Sequence, residues 1–414
     1  MSNGRRNVLI LSFTLVVVML GYGMVMPILP FYVESMGAGG SELGLLVASY
    51  ALMRLIFGPI WGSLSDRVGR KPILMVGVFG YALAMIFFGL AARLWMLFAA
   101  RILSGVLSSA TSPTTMAYVG DSTSEEERGR GMGMLGGAVG LGAILGPALG
   151  GLLATESLSV PFFLAAGLSL LSVLLIFALL PESRPANPRA QARTEESGSP
   201  LKQWRLVLSG PIGILLIMAF LVTSGVTVFY GVFGLYALEQ LGYGPDKVGA
   251  IMMVMGLASA VAQGGLSGPL TKRWGESAVI KGASLVSAIG FLLLVPADTF
   301  LTVLAATGLF VLASALLMPA VSALTSRRAP MEQGITMGVS NSFMSLGRIV
   351  GPLLGGVLFD LDVRYPCLSG AAIMLVGFLV ALACMRRDER VGSTQAGSAP
   401  ELSAPGWNRP RGPA

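Results

Sequence analysis

The chain has 414 residues, 54% of them hydrophobic and 12% charged, with 28 Lys and Arg against 21 Asp and Glu and no histidine; its mean hydropathy is +0.76. Such a composition cannot furnish a charged, water-facing exterior, which excludes soluble enzymes and nucleic-acid binders and points to an all-α integral membrane protein. Without histidine the commonest metal ligand and general base are missing, so no enzyme activity, metal or cofactor is expected.

A helix needs about 20 apolar residues to cross a hydrocarbon core of about 30 Å. Twelve such windows recur, at residues 8 to 31, 43 to 64, 73 to 92, 95 to 117, 130 to 154, 160 to 180, 210 to 236, 247 to 270, 278 to 297, 299 to 322, 334 to 358 and 366 to 385. Span 1 follows Arg5 and Arg6 and could imitate a signal peptide, but it outruns an h-region and no Ala-x-Ala site follows it. Residues 181–208, Pro-rich and polar, read as a cytoplasmic linker between a six-helix bundle at 1–180 and a second at 209–385, with 386–414 a disordered cytoplasmic tail. Cys367 and Cys384 share span 12, about 25 Å apart along a helix, so no disulfide joins them. Placing the N-terminus inside puts 22 of the 28 basic residues on the cytoplasmic side, 3 outside (Arg93, Lys247, Arg364) and 3 within spans. Both termini are therefore expected in the cytoplasm, on a multi-pass protein of the cell membrane.

In chain order, span 1 holds Leu20-Gly21, Tyr22, Pro27 and Pro30. Each proline removes a backbone hydrogen bond and lets the helix bend, as in any kinked helix. The loop after span 2 reads Gly62-Ser63-Leu64-Ser65-Asp66-Arg67-Val68-Gly69-Arg70-Lys71-Pro72. Gly69 permits the tight turn, Asp66 can pair with an arginine or cap a helix N-terminus, and the cations hold the loop inside. The alternative to a charge latch here is a purely topological basic loop. In span 5, Gly142, Gly146, Pro147, Gly150 and Gly151 form a flat face for close helix approach. Gly131 to Gly136 satisfies a dinucleotide fingerprint only as a string, because no strand precedes it.

One offset of 205 to 206 residues relates the two halves. Glu34-x-x-Gly37 matches Glu239-x-x-Gly242, the span 2 loop matches Gly268-x-Leu270-x-x-Arg273-x-Gly275, and Gly142 to Gly151 matches Gly347 to Gly356. Two pseudo-symmetric bundles are expected, with a cavity at their interface that rocking opens alternately to each side. Lys272 replaces the acid in the second loop, so a latch is expected in the first half only.

Together with Arg101 and Gly105 of span 4, these motifs resemble the major facilitator superfamily over nearly the whole chain, and within it the twelve-span drug:proton antiporter group. The resemblance implies transport by alternating access. It implies gating and coupling roles for Gly62, Asp66, Arg67, Gly69, Arg70, Gly142, Gly146, Pro147 and Gly150, and a proton-linked role for Arg101. The chain departs from the pattern at Ser104, where glutamine is usual, and at Val18, where many exporters of cations carry a carboxylate.

Three arginines lie in otherwise apolar spans: Arg54, Arg101 and Arg348. Arg54 stands about 12 Å before Gly62 and Arg348 about 18 Å before Asp360, so both fall near the midplane. A cation there marks a pathway, unless it is structural and bonded to backbone carbonyls. All 21 acids lie in loops or at span ends, which leaves Glu34 or Asp121 as proton carriers, with plain helix-end solvation the alternative for both. Tyr22, Arg54, Arg101, Tyr230, Phe233, Gln263, Asn341 and Arg348 are the candidate substrate contacts, beside Tyr50, Phe229 and the methionines at 252, 253 and 255; helix packing is the alternative for the apolar ones. The reading is proton-coupled export of small amphipathic or hydrophobic compounds by a monomer in the bilayer, with no nucleic-acid partner. Rivals are an exporter or flippase of organic anions or anionic lipids, and a non-transporting receptor or scaffold.

Overall fold

A computed structural model describes residues 3–183, 212–328 and 333–385, and no strand occurs among them. The remainder of the proposed linker and the whole tail 386–414 lie outside the described residues. Span 1 is the helix Asn3–Ser35, span 2 Gly40–Val68, span 3 Arg70–Gly89, span 5 Glu125–Leu153, span 6 Val160–Leu179, span 7 Gly213–Leu241, span 10 Phe300–Arg327, span 11 Gln333–Leu361 and span 12 Tyr365–Cys384. Spans 1, 2, 3, 5, 7, 10, 11 and 12 run past the expected bounds at one or both ends, since helical hydrogen bonding continues after the apolar run stops.

Three spans depart from the expectation in kind. Span 4 breaks into Leu94–Ser108 and Thr111–Ser122. Pro113 has no N–H to donate and its ring crowds the carbonyl of Ser109, which interrupts the helical bonding at Ser109 and Ala110. Spans 8 and 9 are a single helical run of 50 residues, Pro245–Leu294, one of eleven runs long and apolar enough to cross a membrane among the described residues. That run contains a π-helical turn at Ala262–Leu266 and folds back at Gly275, whose φ is +77°. Its counterpart Gly69 reverses the chain between spans 2 and 3 with φ +115°. A side chain at either position would be strained, which is why the repeat keeps glycine at both. The twelve spans are therefore present, with spans 8 and 9 joined end to end.

Glycines set how the spans pack. A methyl group added to Gly142 would stand 2.6 Å from Met19 Cβ, one on Gly146 2.8 Å from Gly23 Cα, and one on Gly150 2.7 Å from Met24 Cα. Span 5 thus lies backbone to backbone on span 1 within the first half. The second half repeats this, with Gly347 and Gly351 against Thr223 and Ser224 of span 7. Gly151 turns the other way, 2.9 Å from Gly249 Cα of span 8, and its counterpart Gly356 meets Gly40 and Gly44 of span 2. The halves therefore cross through two equivalent glycine contacts, spans 5 with 8 and 2 with 11.

Both crossings, and the contact of Gly234 on Pro30, sit toward the end of the molecule away from residues 3 and 385. Toward the end bearing those residues the same four spans part. Gly58 and Gly62 in span 2, Gly129, Gly133, Gly136, Gly137 and Gly140 in span 5, Gly264, Gly265 and Gly268 in spans 8 and 9, and Gly334 and Gly338 in span 11 have no atom within 4 Å of an added methyl group. The halves are closed at one end and open at the other.

Candidate functional site

Arg101 is the largest fully buried side chain of the described residues, 1% exposed. Its Cζ lies 4.5 Å from the Tyr50 ring centroid and 5.8 Å from that of Tyr22. Arg54, one turn beyond Tyr50 on span 2, stands over the same ring at 5.7 Å. The two rings lie 5.4 Å apart, centroid to centroid. Arg348 reaches this group from span 11 of the other half: Tyr22 feels the charges of Arg101, Arg54 and Arg348 together. The aromatic faces supply partial compensation by cation–π attraction, on the order of 1–2 kcal/mol where desolvated. No carboxylate approaches the group among the described residues, and Arg101 Nε and Nη2 have no hydrogen-bond partner. Four separate spans thus bring three cations and two phenols to one place, in chain positions too far apart for any single motif to display.

Other candidate contacts fall elsewhere. Phe233, expected in the cavity, is wholly buried, 4.9 Å from Phe229 in a cluster that continues to Phe291 and Phe310. It is core of the second half, because the apolar face of span 7 turns inward against spans 9 and 10. Met252 and Met255 are core as well. Tyr230 is half-buried, and Gln263 and Asn341 are exposed. Gln263 lies in the π-turn and donates to Ser259 Oγ at 2.8 Å, so a neighbour on its own helix satisfies it.

Arg70 is the hub of the loop after span 2. It donates to Asp66 Oδ1 at 2.6 Å, Asp121 Oδ2 at 3.0 Å and Ser65 Oγ at 2.6 Å. Asp66 therefore pairs with an arginine, as its spacing allows, and Asp121 ties span 4 into the same network. Arg67 is exposed. Glu182, inside the stretch taken as linker, caps span 3: its carboxylate accepts the N–H groups of Arg70 and Lys71 at 2.9 and 3.1 Å. A bare helix N-terminus after a positive-φ glycine wants such an anion, and that was the signal available for Glu182.

The second half corrects the expectation of a single latch. Glu276 Oε1 and Arg327 Nη1 form an ion pair 3.0 Å apart. These positions are 206 residues after Arg70 and Asp121, so the second half makes the same bridge with the charges exchanged. At the opposite end, Asp360 of span 11 accepts the N–H groups of Gly40 and Ser41 at 2.7 and 2.9 Å. A carboxylate of one half thus caps a helix of the other where the halves close. Glu34 and Asp360 both lie within electrostatic reach of Glu239 there.

Comparison with known proteins decides the family, since the model of the Major Facilitator Superfamily matches residues 11–277 and 215–413. The chain belongs to the Major Facilitator Superfamily. Among curated relatives in this superfamily, it is similar to Multidrug resistance protein 2 of Bacillus subtilis (strain 168), 34% identical over 371 residues, which cover 89% of this chain and 92% of the relative. Quinolone resistance protein NorA of Staphylococcus aureus (strain COL) is 26% identical over 378 residues, 91% of this chain and 96% of that protein. In fold, the superfamily architecture of this chain matches a bacterial homologue of the human lysosomal transporter Spinster in its inward-facing, unoccupied conformation. The TM-score is 0.76 at 14% identity, covering 93% of this chain and 98% of the other.

Proposed function

We propose that this member of the superfamily is a secondary active transporter exporting small amphipathic compounds by alternating access. The observation that carries the reading is the two-ended arrangement of the halves: crossed through glycines at one end, open at the other, with a cationic and aromatic cluster between. A receptor or scaffold has no use for a desolvated arginine group, which costs about 2.5–3.5 kcal/mol per midplane cation even by the lowest scales. The charge count supports cytoplasmic termini, and on that reading the open end faces inward and the crossings form the outer gate. Its relatives' names, multidrug resistance and quinolone resistance, support export of drug-like molecules.

Protons are the proposed coupling ion. Glu34 and Asp360 lie near Glu239 at the closed outer gate, where like charges oppose closure. A proton taken up from the outer side while the gate is open would relieve that repulsion and let the gate close, and its passage to the inner end would complete the counterflow. Asp121, bound by Arg70, is the corresponding group at the inner end. The test uses purified full chain in proteoliposomes with a neutral amphipathic dye and a pH indicator in the lumen. Dye movement coupled to counterflow of protons supports the reading, and dye movement that leaves luminal pH and an imposed gradient untouched overturns the coupling. In the same vesicles Gly151→Val and Gly356→Val, which force the crossings apart, should stop transport; undiminished rates in both would sink the gate assignment.

A further inference from the structure

The cavity group carries a net charge that no carboxylate balances among the described residues. Arg54 and Arg101 stand over one ring, at 5.7 and 4.5 Å, which bounds the separation of their guanidinium carbons at about 10 Å. Arg348, exposed on span 11, belongs to the same electrostatic neighbourhood through Tyr22 and Arg54. The acids nearest in chain order are Glu42 and Asp66, on either side of Arg54, and Asp360 after Arg348; all three are engaged elsewhere, Glu42 by the N–H of Gly39, Asp66 by Arg70, and Asp360 by the N–H groups of Gly40 and Ser41. Arg101 is 1% exposed, yet two of its nitrogens find no acceptor, and a buried guanidinium with free donors costs several kcal/mol unless something accepts from it.

Resting on the transporter reading above, we propose that this cluster is an anion subsite, and that the chain carries amphiphiles bearing a carboxylate or a comparable anionic group. Exposure assigns the roles. Arg348 and the half-buried Arg54 face the open side and meet the anion directly. Arg101, behind Tyr50, adds attraction through its field and holds that ring in place. Tyr22 and Tyr50 offer an aromatic face to the apolar body of the ligand. A cation would enter against three like charges, with no carboxylate among the described residues to receive it.

The experiment compares three dyes of matched size in proteoliposomes holding the full chain: a lipophilic carboxylate, its methyl ester, and a quaternary ammonium analogue. A fourth arm follows flipping of a fluorescent phosphatidylglycerol, which separates a lipid headgroup from a soluble anion as the source. Equilibrium binding of the carboxylate and the ester is measured on the same protein in detergent. Wild type should bind the carboxylate about tenfold or more tighter than the ester and move it faster than the quaternary dye. Arg54→Gln and Arg348→Gln should each cost about tenfold in carboxylate binding and transport while leaving the ester within about twofold, and Arg54→Lys should recover part of the loss. Preference for the quaternary dye, or equal binding of carboxylate and ester, overturns the anion subsite. Equal losses for both ligands in the Gln variants do so too. If carboxylate binding is selective but none of the four probes crosses the membrane, the transporter reading fails and the subsite stands.

Discussion

The two halves fasten the same corner with opposite chemistry. In the first, Arg70 is a buried hub, its side chain 7% exposed, holding Asp66 and Asp121. In the second, Glu276 holds Arg327 across the same pair of positions, and Arg327 is 71% exposed. A repeat that preserved residue types would have produced two identical clusters; this one preserves the contact and lets the charges trade places. What the geometry requires at that corner is an attraction between the turn after the even-numbered span and the end of span 4 or span 10. Either polarity supplies it. The difference in burial gives the halves different stakes, because a desolvated network with three partners suffers far more from losing its centre than an exposed pair does.

The sharpest way to break the comparison is Arg70→Gln, which leaves the half-exposed Asp66 and Asp121 facing each other; about 2 kcal/mol of stability should go, read as a lowered Tm in detergent, and transport should fall at least tenfold. A loss no larger than that from Arg327→Gln would erase the distinction between the halves. Next comes Gly69→Ala against Gly275→Ala. Both force a side chain into positive φ at about 1–2 kcal/mol, but at Gly69 the new methyl also meets the Glu182 carboxylate at 2.7 Å, whereas Gly275 has nothing within 4 Å. Gly69→Ala should therefore be the more damaging, and equal Tm shifts would show that Glu182 yields freely. Asp66→Asn keeps the volume, so it should leave membrane insertion intact and slow transport several-fold; wild-type rates in its vesicles would reduce the loop to topology. The smallest effect belongs to Arg327→Gln, within about 1 kcal/mol for a partner this exposed. Exchanging charges in the first half, Arg70→Glu with Asp121→Arg, sharpens the point from the other side: the double variant should recover part of what each single change loses, and strict additivity would deny that the pair is interchangeable.

Much of this was open to inspection in the sequence. Hydropathy windows located twelve spans because a lipid-facing helix must be apolar along its length, and the spacing of Gly142, Gly146 and Gly150 announced a close crossing. Its partner was not announced: nothing in span 5 says that Gly142 to Gly150 meet span 1 while Gly151 meets span 8. Likewise Arg54, Arg101 and Arg348 were each conspicuous, but their convergence depends on how four helices lean together. Phe233 was misread because an aromatic in a span looks alike whether it faces a cavity or a core. The charge exchange at Glu276 and Arg327 was written in the chain at the correct offset; matching by identity passes over it, and matching by pair product would have found it.

At five glycines of span 5, Gly129, Gly133, Gly136, Gly137 and Gly140, an added methyl group would meet no atom within 4 Å in this conformation. Each weakens its helix by roughly 0.5–1 kcal/mol relative to alanine, with no close approach here to justify it. Alanine at these positions should therefore make this open form more robust and the transporter slower, since a face kept bare in one state is a face reserved for contact in another. Stability and turnover would move in opposite directions along a single helical stripe, so a thermostability screen run on this protein would select, at those positions, for molecules that have stopped working.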